Sequence, residues 1–256
     1  MSAVGQRKTV SIDLNADVGE VVGDDEGVLP SVSSANIACG FHAGNPVVMR
    51  TTVQLARRHG VAVGAHPGFQ DLEGFGRREM RVSTAELENL IAYQIGALAG
   101  VAAVEGVRLS HVKPHGALYN MAARDAGLAD AIARAVRAVD ASLVLFGLSG
   151  SELVAAGERA GLRVASEAFA DRGYWPNGNL APRGTPGAVM TGVEDVVRRA
   201  VGMARGQAVT SVDGSNVSVR ADTICIHGDT PGAAALARAV RSGLIAAGID
   251  VVSPGR

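Results

Sequence analysis

Short apolar runs recur along this chain. Between them lie longer stretches in which apolar residues return every three or four positions. The short runs predict strands over residues 10–15, 34–38, 61–65, 110–113, 143–148, 163–167 and 223–226. The longer stretches predict helices over residues 46–59, 84–105, 128–139, 151–160, 193–205 and 231–247. Punctuation agrees with this reading. Ser83 and Glu86 have the spacing of a capping box. Gly60, Gly106, Gly161 and Gly248 stand where helices should stop. Pro46 and Pro231 suit first helical turns, where a missing N–H costs nothing.

Strand and helix alternation implies right-handed βαβ units and a parallel sheet. Seven strands fit either an open doubly wound sheet or a closed barrel. Nearly every strand here ends in polar functional groups, whereas an open sheet concentrates its site at one switch point. The barrel is therefore expected, as a single unit over residues 1–256. Residues 208–220 read as an added β-hairpin turning near Asp213 and Gly214. Residues 70–81 and 169–189 are too long for simple connections, which suggests binding loops or lids. The second carries the chain's only tryptophan, Trp175.

Five of the six histidines fall in polar bursts directly after strand-like runs; only His59 reads as an ordinary helix-end residue. Imidazole titrates near neutrality, so these bursts argue for an enzyme. In Asp13-Leu14-Asn15-Ala16-Asp17, alternation puts Asp13 and Asn15 on one face with Asp17 just beyond. Such a carboxylate cluster orients substrate, serves as acid or base, or holds a cation; the plainer reading is a capped turn. In Cys39-Gly40-Phe41-His42, His42 is a general acid, base or ligand, and Cys39 is a nucleophile or, more simply, a buried structural thiol. His66 either serves the site or merely ends a strand. His111, Lys113 and His115 share one side if their strand persists. A buried ammonium needs an anion, so Lys113 is expected to bind a carboxylate or phosphoryl group. Arg172 suits a bidentate carboxylate clamp, or an internal ion pair with Asp171 or Glu167. In His227-Gly228-Asp229 the carboxylate orients the imidazole, or both meet substrate.

Composition narrows the partners. The chain has 256 residues, 47% hydrophobic and 19% charged, with a formal net charge of −1. No long basic run points to nucleic acid or an anionic membrane. No uninterrupted apolar run predicts a transmembrane helix. Two cysteines without metal-ligand spacing fit a cytoplasmic protein with reduced thiols. There is no standard P-loop, no H-E-x-x-H and no C-x-x-C; Gly147-Leu148-Ser149-Gly150-Ser151 reads as a tight turn with Ser151 capping a helix.

Taken together, the runs at Asp13–Asp17, Ser34–His42, Gly64–Pro67, His111–Tyr119, Phe169–Tyr174 and His227–Asp229 resemble the LamB/YcsF family, in order along nearly the whole chain. The resemblance implies a seven-stranded (β/α) barrel of the glycoside hydrolase/deacetylase type. It implies ATP-dependent opening of 5-oxo-L-proline to L-glutamate, with ATP and Mg²⁺ as co-substrate and no tightly bound organic cofactor. It implies assembly with 5-oxoprolinase subunits B and C, on which ATP could partly bind. Self-association through outer helices is a further expectation. On this reading Asp17, His42, Lys113 and His115 are catalytic. Asp13, Asn15, Asn36, His66, Tyr119, Arg172, His227 and Asp229 bind substrate, with Lys113 and Arg172 near developing negative charge and Asp13 near Mg²⁺. Where the family usually has Asp, this chain has Asn45; a helix-capping role would suit either. Two other readings remain: a metal-dependent amidohydrolase or deacetylase with Asp17, His42 and His66 holding Zn²⁺, and a non-catalytic subunit that presents a small acid to a partner.

Overall fold

The structure is a computed structural model that describes residues 10–182, 184–226 and 232–254. Its elements in chain order begin β1 (Val10–Val18), α1 (Asp25–Val28), β2 (Ser34–Ala38), α2 (Pro46–Arg58), β3 (Ala62–His66) and α3 (Thr84–Val104). Next come β4 (Leu109–Val112), α4 (Gly116–Ala122), α5 (Ala126–Val139), β5 (Val144–Leu148), α6 (Glu152–Arg159) and β6 (Arg163–Phe169). The chain closes with α7 (Val193–Ala204), β7 (Val209–Thr210), β8 (Asn216–Val217), β9 (Thr223–Ile226), α8 (Ala233–Ala246) and β10 (Ile249–Val251).

Strands β1 to β6 and β9 are parallel and close into a ring, because β1 pairs with β2 on one edge and with β9 on the other. This is the seven-stranded barrel. Short β10 pairs with the first residues of β1, and β7 and β8 form the antiparallel hairpin expected near Asp213. Apolar side chains on the outer strand faces, such as Leu14, Ala16, Ile37 and Ile224, are buried with the helices' apolar stripes. Helix α3 shows why those stripes matter. By length and composition alone it is apolar enough to cross a membrane. Yet Leu87, Ile91, Ile95, Leu98 and Ala102 form one buried face, set against β3, β4 and α5. Three- and four-residue spacing of that kind marks a helix with one face in a core.

Helix ends are set locally. Asn45 caps α2, its Oδ1 accepting from the amides of Val47 at 2.9 Å and Val48 at 3.0 Å. Pro46 follows at the first helical position, while Pro231 lies outside the described residues. Ser83 caps α3 and Ser151 caps α6 in the same manner. The glycines read as helix stops, Gly60, Gly106, Gly161 and Gly248, all have positive φ. Helices α1 and α4 and strand β10 are additions to the predicted elements; each is too short to show a period.

The barrel interior is polar toward its C-terminal end and apolar on one side below it, where Val144, Phe146 and Ala165 meet. Deepest of the acids, Asp13 accepts from the hydroxyls of Ser33 and Ser34, each at 2.7 Å, and of Thr223 at 2.6 Å. Burial pushes its carboxyl up to about 6, against the pull of those hydroxyls. One layer up, Asn15 Nδ2 donates to Thr223 at 2.7 Å and Glu167 at 3.0 Å, while its Oδ1 accepts from Asn36 Nδ2 at 2.7 Å. Asn36 Oδ1 meets His111 Nε2 at 2.8 Å. Because Asn36 donates elsewhere with its amino group, its oxygen must accept, and the His111 proton sits on Nε2. The His111 ring stacks on Phe146 and lies over Gly64, where a Cβ would come within 2.2 Å of it. Only glycine leaves room for that ring.

Two outcomes follow. Asn45→Ala removes a cap and should destabilise the protein by about 1 kcal/mol in urea unfolding, while Asn45→Asp should be close to neutral; equal losses would refute the capping role. Burial, helped by the Lys113 charge, holds His111 down to about 3. The unfolded chain takes up that proton near the ordinary value of about 6.5, so it binds more protons between pH 6.5 and pH 3, and stability falls as pH drops through that window. His111→Gln should make this decline shallower by about 1 kcal/mol per pH unit; parallel unfolding curves for the two proteins would show that His111 does not titrate this way.

Candidate active site

Lys113 follows β4 immediately and points into the barrel. Its Nζ lies 2.9 Å from Asp17 Oδ1 and 2.8 Å from Glu167 Oε1. It also donates to Asn15 Oδ1 at 3.3 Å and approaches Cys225 Sγ at 3.1 Å. Burial by itself would lower the ammonium pKa, but Asp17 and Glu167 among its neighbours outweigh it and drive the value well above the ordinary range. Lys113 is therefore a fixed positive charge. Its expected anion is the protein's own pair of carboxylates, so its first duty is to hold them in place.

Asp17 has partners at both carboxylate oxygens. Oδ1 accepts from Lys113 and from Asn36 Nδ2 at 2.8 Å. Oδ2 lies 3.5 Å from His66 Nε2, and the side chain keeps 13% exposure where most of its neighbours are sealed.

Beside Asp17 stand Glu20, His42, His66 and His115, all buried, with ligand-type atoms within 4.8 Å of one another. Glu20 Oε1 is 3.2 Å from His42 Nε2, 3.3 Å from His115 Nδ1 and 3.7 Å from His66 Nε2. Burial would raise its carboxyl, yet the bonds with His115 and His42 prevail and hold it down to about 2. Burial holds His42 down to about 4 despite its bond with Glu20. For His66 burial again acts downward, but Asp17 and Glu20 prevail and the pKa is raised. Glycine makes the approach of Glu20 possible: Gly19 turns the chain at φ +71° straight after β1.

Residues 70–81 form the roof over this cluster. Asp71 nucleates the turn by accepting from Gly74 N at 3.0 Å and pairing with Arg78. Phe75, a non-glycine residue at φ +54°, packs edge-on against His42 and His115, and its carbonyl accepts from His115 Nε2 at 2.8 Å. From below, Gln94 of α3 bonds both the N–H and the C=O of Gly68, each at 2.9 Å, and so fixes the turn after His66.

The second long loop walls the other side. Arg172 donates from Nε to Ala188 O at 3.2 Å and from Nη2 to Ala181 O at 2.8 Å. Tyr174 accepts from Phe169 N at 2.8 Å. Together these bonds brace a loop that sets Trp175 and residues 179–182 against a cavity of about 550 Å³. Asp17, Glu20, His66, Lys113, His115, Tyr119 and Arg172 also line it. The Tyr119 hydroxyl and Glu167 Oε2 are buried, and among the described residues neither makes a hydrogen bond of good geometry. Burial, then the Glu167 charge, push the phenol well above its ordinary range, so it remains a neutral donor.

The expected site residues thus separate by depth. Asp17, His66, Lys113, His115, Tyr119 and Arg172 face the cavity. His42 stands behind them. Asp13, Asn15 and Asn36 do not line it: Asp13 has its oxygens satisfied by three hydroxyls, and the two amides relay order between Asp13, Glu167, His111 and Asp17. His227 and Asp229 lie outside the described residues. The expected Asp17, His42 and His66 trio is redrawn, with Glu20 in place of Asp17 and His115 added. Glu20 and Glu167 were not singled out from sequence as site residues. Cys39 is buried, donates to Ile37 O at 3.2 Å and has its thiol pushed up to about 12 by burial, which makes it structural.

Comparison with known proteins places the chain among relatives of one kind. The A subunit of 5-oxoprolinase from Tolumonas auensis is 56% identical over 245 residues, 94% of this chain and 98% of that one. The protein of the same name from Geobacillus kaustophilus is 54% identical over 250 residues, 96% of this chain and 98% of that one. Among solved structures, a lactam utilization protein from Thermus thermophilus superposes with a TM-score of 0.90 at 51% identity, covering 94% of this chain and 99% of that one. A putative cellobiose-phosphate cleavage protein of Enterococcus faecalis shares only the fold, with a TM-score of 0.58 at 14% identity over 96% of this chain and 98% of that one. The sequence profile of the LamB/YcsF family matches residues 12–256. With relatives more than half identical along nearly their whole length, the kinship is plain: this chain belongs to the LamB/YcsF family.

Proposed function

We propose that this chain is the ring-opening component of an ATP-dependent 5-oxoprolinase, which converts 5-oxo-L-proline to L-glutamate with hydrolysis of ATP to ADP and phosphate. Relatives named as the A subunit of 5-oxoprolinase supply the reaction class. One observation from the site carries the reading: a carboxylate, Asp17, clamped through Oδ1 by a buried lysine while its Oδ2 side borders a cavity sized for a small acid.

A five-membered lactam resists attack because its nitrogen delocalises into the carbonyl. Phosphoryl transfer from ATP to the lactam oxygen removes that resistance. Water then adds to the ring carbon while Asp17 takes its proton, and Asp17 returns a proton to the ring nitrogen as the C–N bond breaks. The γ-glutamyl phosphate so formed hydrolyses to glutamate and phosphate. Lys113 is a positioning residue here: its contact with Oδ1 holds the Asp17 carboxylate aimed. The Tyr119 hydroxyl, a neutral donor at the cavity lining beside the Glu167 carboxylate, is suited to donate to the substrate oxygen. Arg77 and Arg124, with Arg172, bring positive charge to the cavity lining for the substrate carboxylate or a phosphoryl group. The sequence has no standard P-loop, which favours ATP binding on partner subunits B and C. A second reading, hydrolysis of a small amide without ATP, draws on the four convergent groups Glu20, His42, His66 and His115.

The deciding assay is glutamate release from 5-oxo-L-proline by the purified chain, with and without ATP-Mg²⁺ and with and without subunits B and C. Turnover is expected only in the complete mixture. Turnover by the chain alone with ATP would overturn the need for partners, and turnover without ATP would favour the second reading. In the complete mixture, Asp17→Asn should lower kcat by about 10²-fold or more while KM changes little; a variant as fast as the parent would remove Asp17 from the chemistry.

A further inference from the structure

The geometry behind the cavity wall points to a bound cation. Two of the histidine rings have an outer nitrogen set against a backbone carbonyl: His66 Nδ1 against Lys113 O at 2.7 Å, and His115 Nε2 against Phe75 O at 2.8 Å. A carbonyl can only accept, so each ring carries a proton on that outer nitrogen. In the neutral rings the inner nitrogens, His66 Nε2 and His115 Nδ1, are then bare lone pairs, and they face each other at 3.0 Å. Glu20 Oε1 approaches both, and sits 3.2 Å from His42 Nε2 as well. Lone pairs gathered this closely repel one another unless a positive species lies among them.

The spacing matches a particular species. A tetrahedral ion with bonds of roughly 2.0–2.1 Å to nitrogen and oxygen separates its ligands by roughly 3.3–3.4 Å. Four of the separations here run 3.0, 3.2, 3.3 and 3.7 Å. The outer carbonyls are the second half of the pattern, because ligand histidines are commonly held in the right tautomer by such a partner. His42 is the exception. Among the described residues its buried Nδ1 has no partner, and its ring stacks on His115 with centroids 3.8 Å apart. Its Nε2 faces Glu20 Oε1, so that nitrogen is the one already turned toward the other three groups.

We propose that Glu20, His42, His66 and His115 bind one divalent transition-metal ion of the zinc class. Three imidazoles and one carboxylate suit Zn²⁺, Co²⁺ or Fe²⁺, whereas Mg²⁺ and Ca²⁺ prefer all-oxygen sites. The ion is therefore distinct from the Mg²⁺ that accompanies ATP. Glu20, His66 and His115 line the cavity, so the ion borders the space assigned to substrate, 3.5 Å separating His66 Nε2 from Asp17 Oδ2. The site does not depend on the lactam reading, since it is tested by binding rather than turnover.

The competing occupant is a single extra proton shared by the rings. Stripping the full chain with a chelator and titrating it with Zn²⁺ and Co²⁺ by calorimetry and visible absorption separates the two. One equivalent of each ion is expected to bind, with the intense visible bands of four-coordinate Co²⁺ and no displacement by excess Mg²⁺. Glu20→Gln, His66→Gln and His115→Gln should each weaken Zn²⁺ binding by more than about 100-fold, while His59→Gln, at the exposed end of α2, leaves it unchanged. Circular dichroism of the stripped variants checks that they fold. Failure of the parent chain to take up stoichiometric ion, or binding that survives all three substitutions, overturns the proposal and leaves the proton as occupant. An inactive lactam assay with one equivalent of ion bound supports the site and removes only the functional reading.

Discussion

Everything inside this barrel is arranged around one ammonium group. Lys113 comes from the end of β4, Asp17 from β1 and Glu167 from β6, so a single cation ties together three strands that do not neighbour one another. Taking these charges out of water costs several kcal/mol for each ion, and only close contact with satisfied hydrogen bonds offsets it. The structure meets that condition: Asn15 serves Lys113 and Glu167 at once, and Asn36 serves Asp17. Without the lysine, two carboxylates would stand opposed in a dry interior. The position of Asp17 is thus a property of the whole ring rather than of its own strand.

Depth then sorts the remaining groups. Asp13, surrounded by hydroxyls, has its carboxyl pushed up to about 6 by burial. His111, against Phe146, stays an uncharged donor. Glu20, among three imidazoles, is held ionised down to about 2. The same residue types thus serve as scaffold low in the barrel and as cavity lining at its mouth. The difference lies in what each can reach: hydroxyls and amides below, imidazoles and open space above.

Much of the architecture was legible in the sequence because strands and helices announce themselves by period. β1 nevertheless runs to Val18, beyond the expected residue 15, since Ala16, Asp17 and Val18 continue the alternation. Helix α4 was hidden because it has seven residues and no capping side chain, with Pro114 and His115 just before it. Site residues were legible where alternation fixed their face, as for Asp17 and Lys113. Glu20 was not, because it follows the turn at Gly19, where no period says which way a side chain points. Glu167 was read against its sequence neighbour Arg172, but its partner comes from a strand on another part of the ring. Which strands oppose one another across a barrel is set by closure, and a local pattern holds no trace of it.

That closure also governs how the molecule is made. β1 is paired by two late arrivals: β9 takes Asp13 to Ala16, and β10 takes Val10 to Ile12. Both are encoded after residue 222. During synthesis the first strand therefore waits, its edge unpaired, until nearly the whole chain has emerged. Contacts between the ends of a chain are slow to form, and unpaired edges invite association with other chains. Birth on the ribosome is the vulnerable interval for this protein, and the buried ion pair cannot be completed within a ring until that interval has passed.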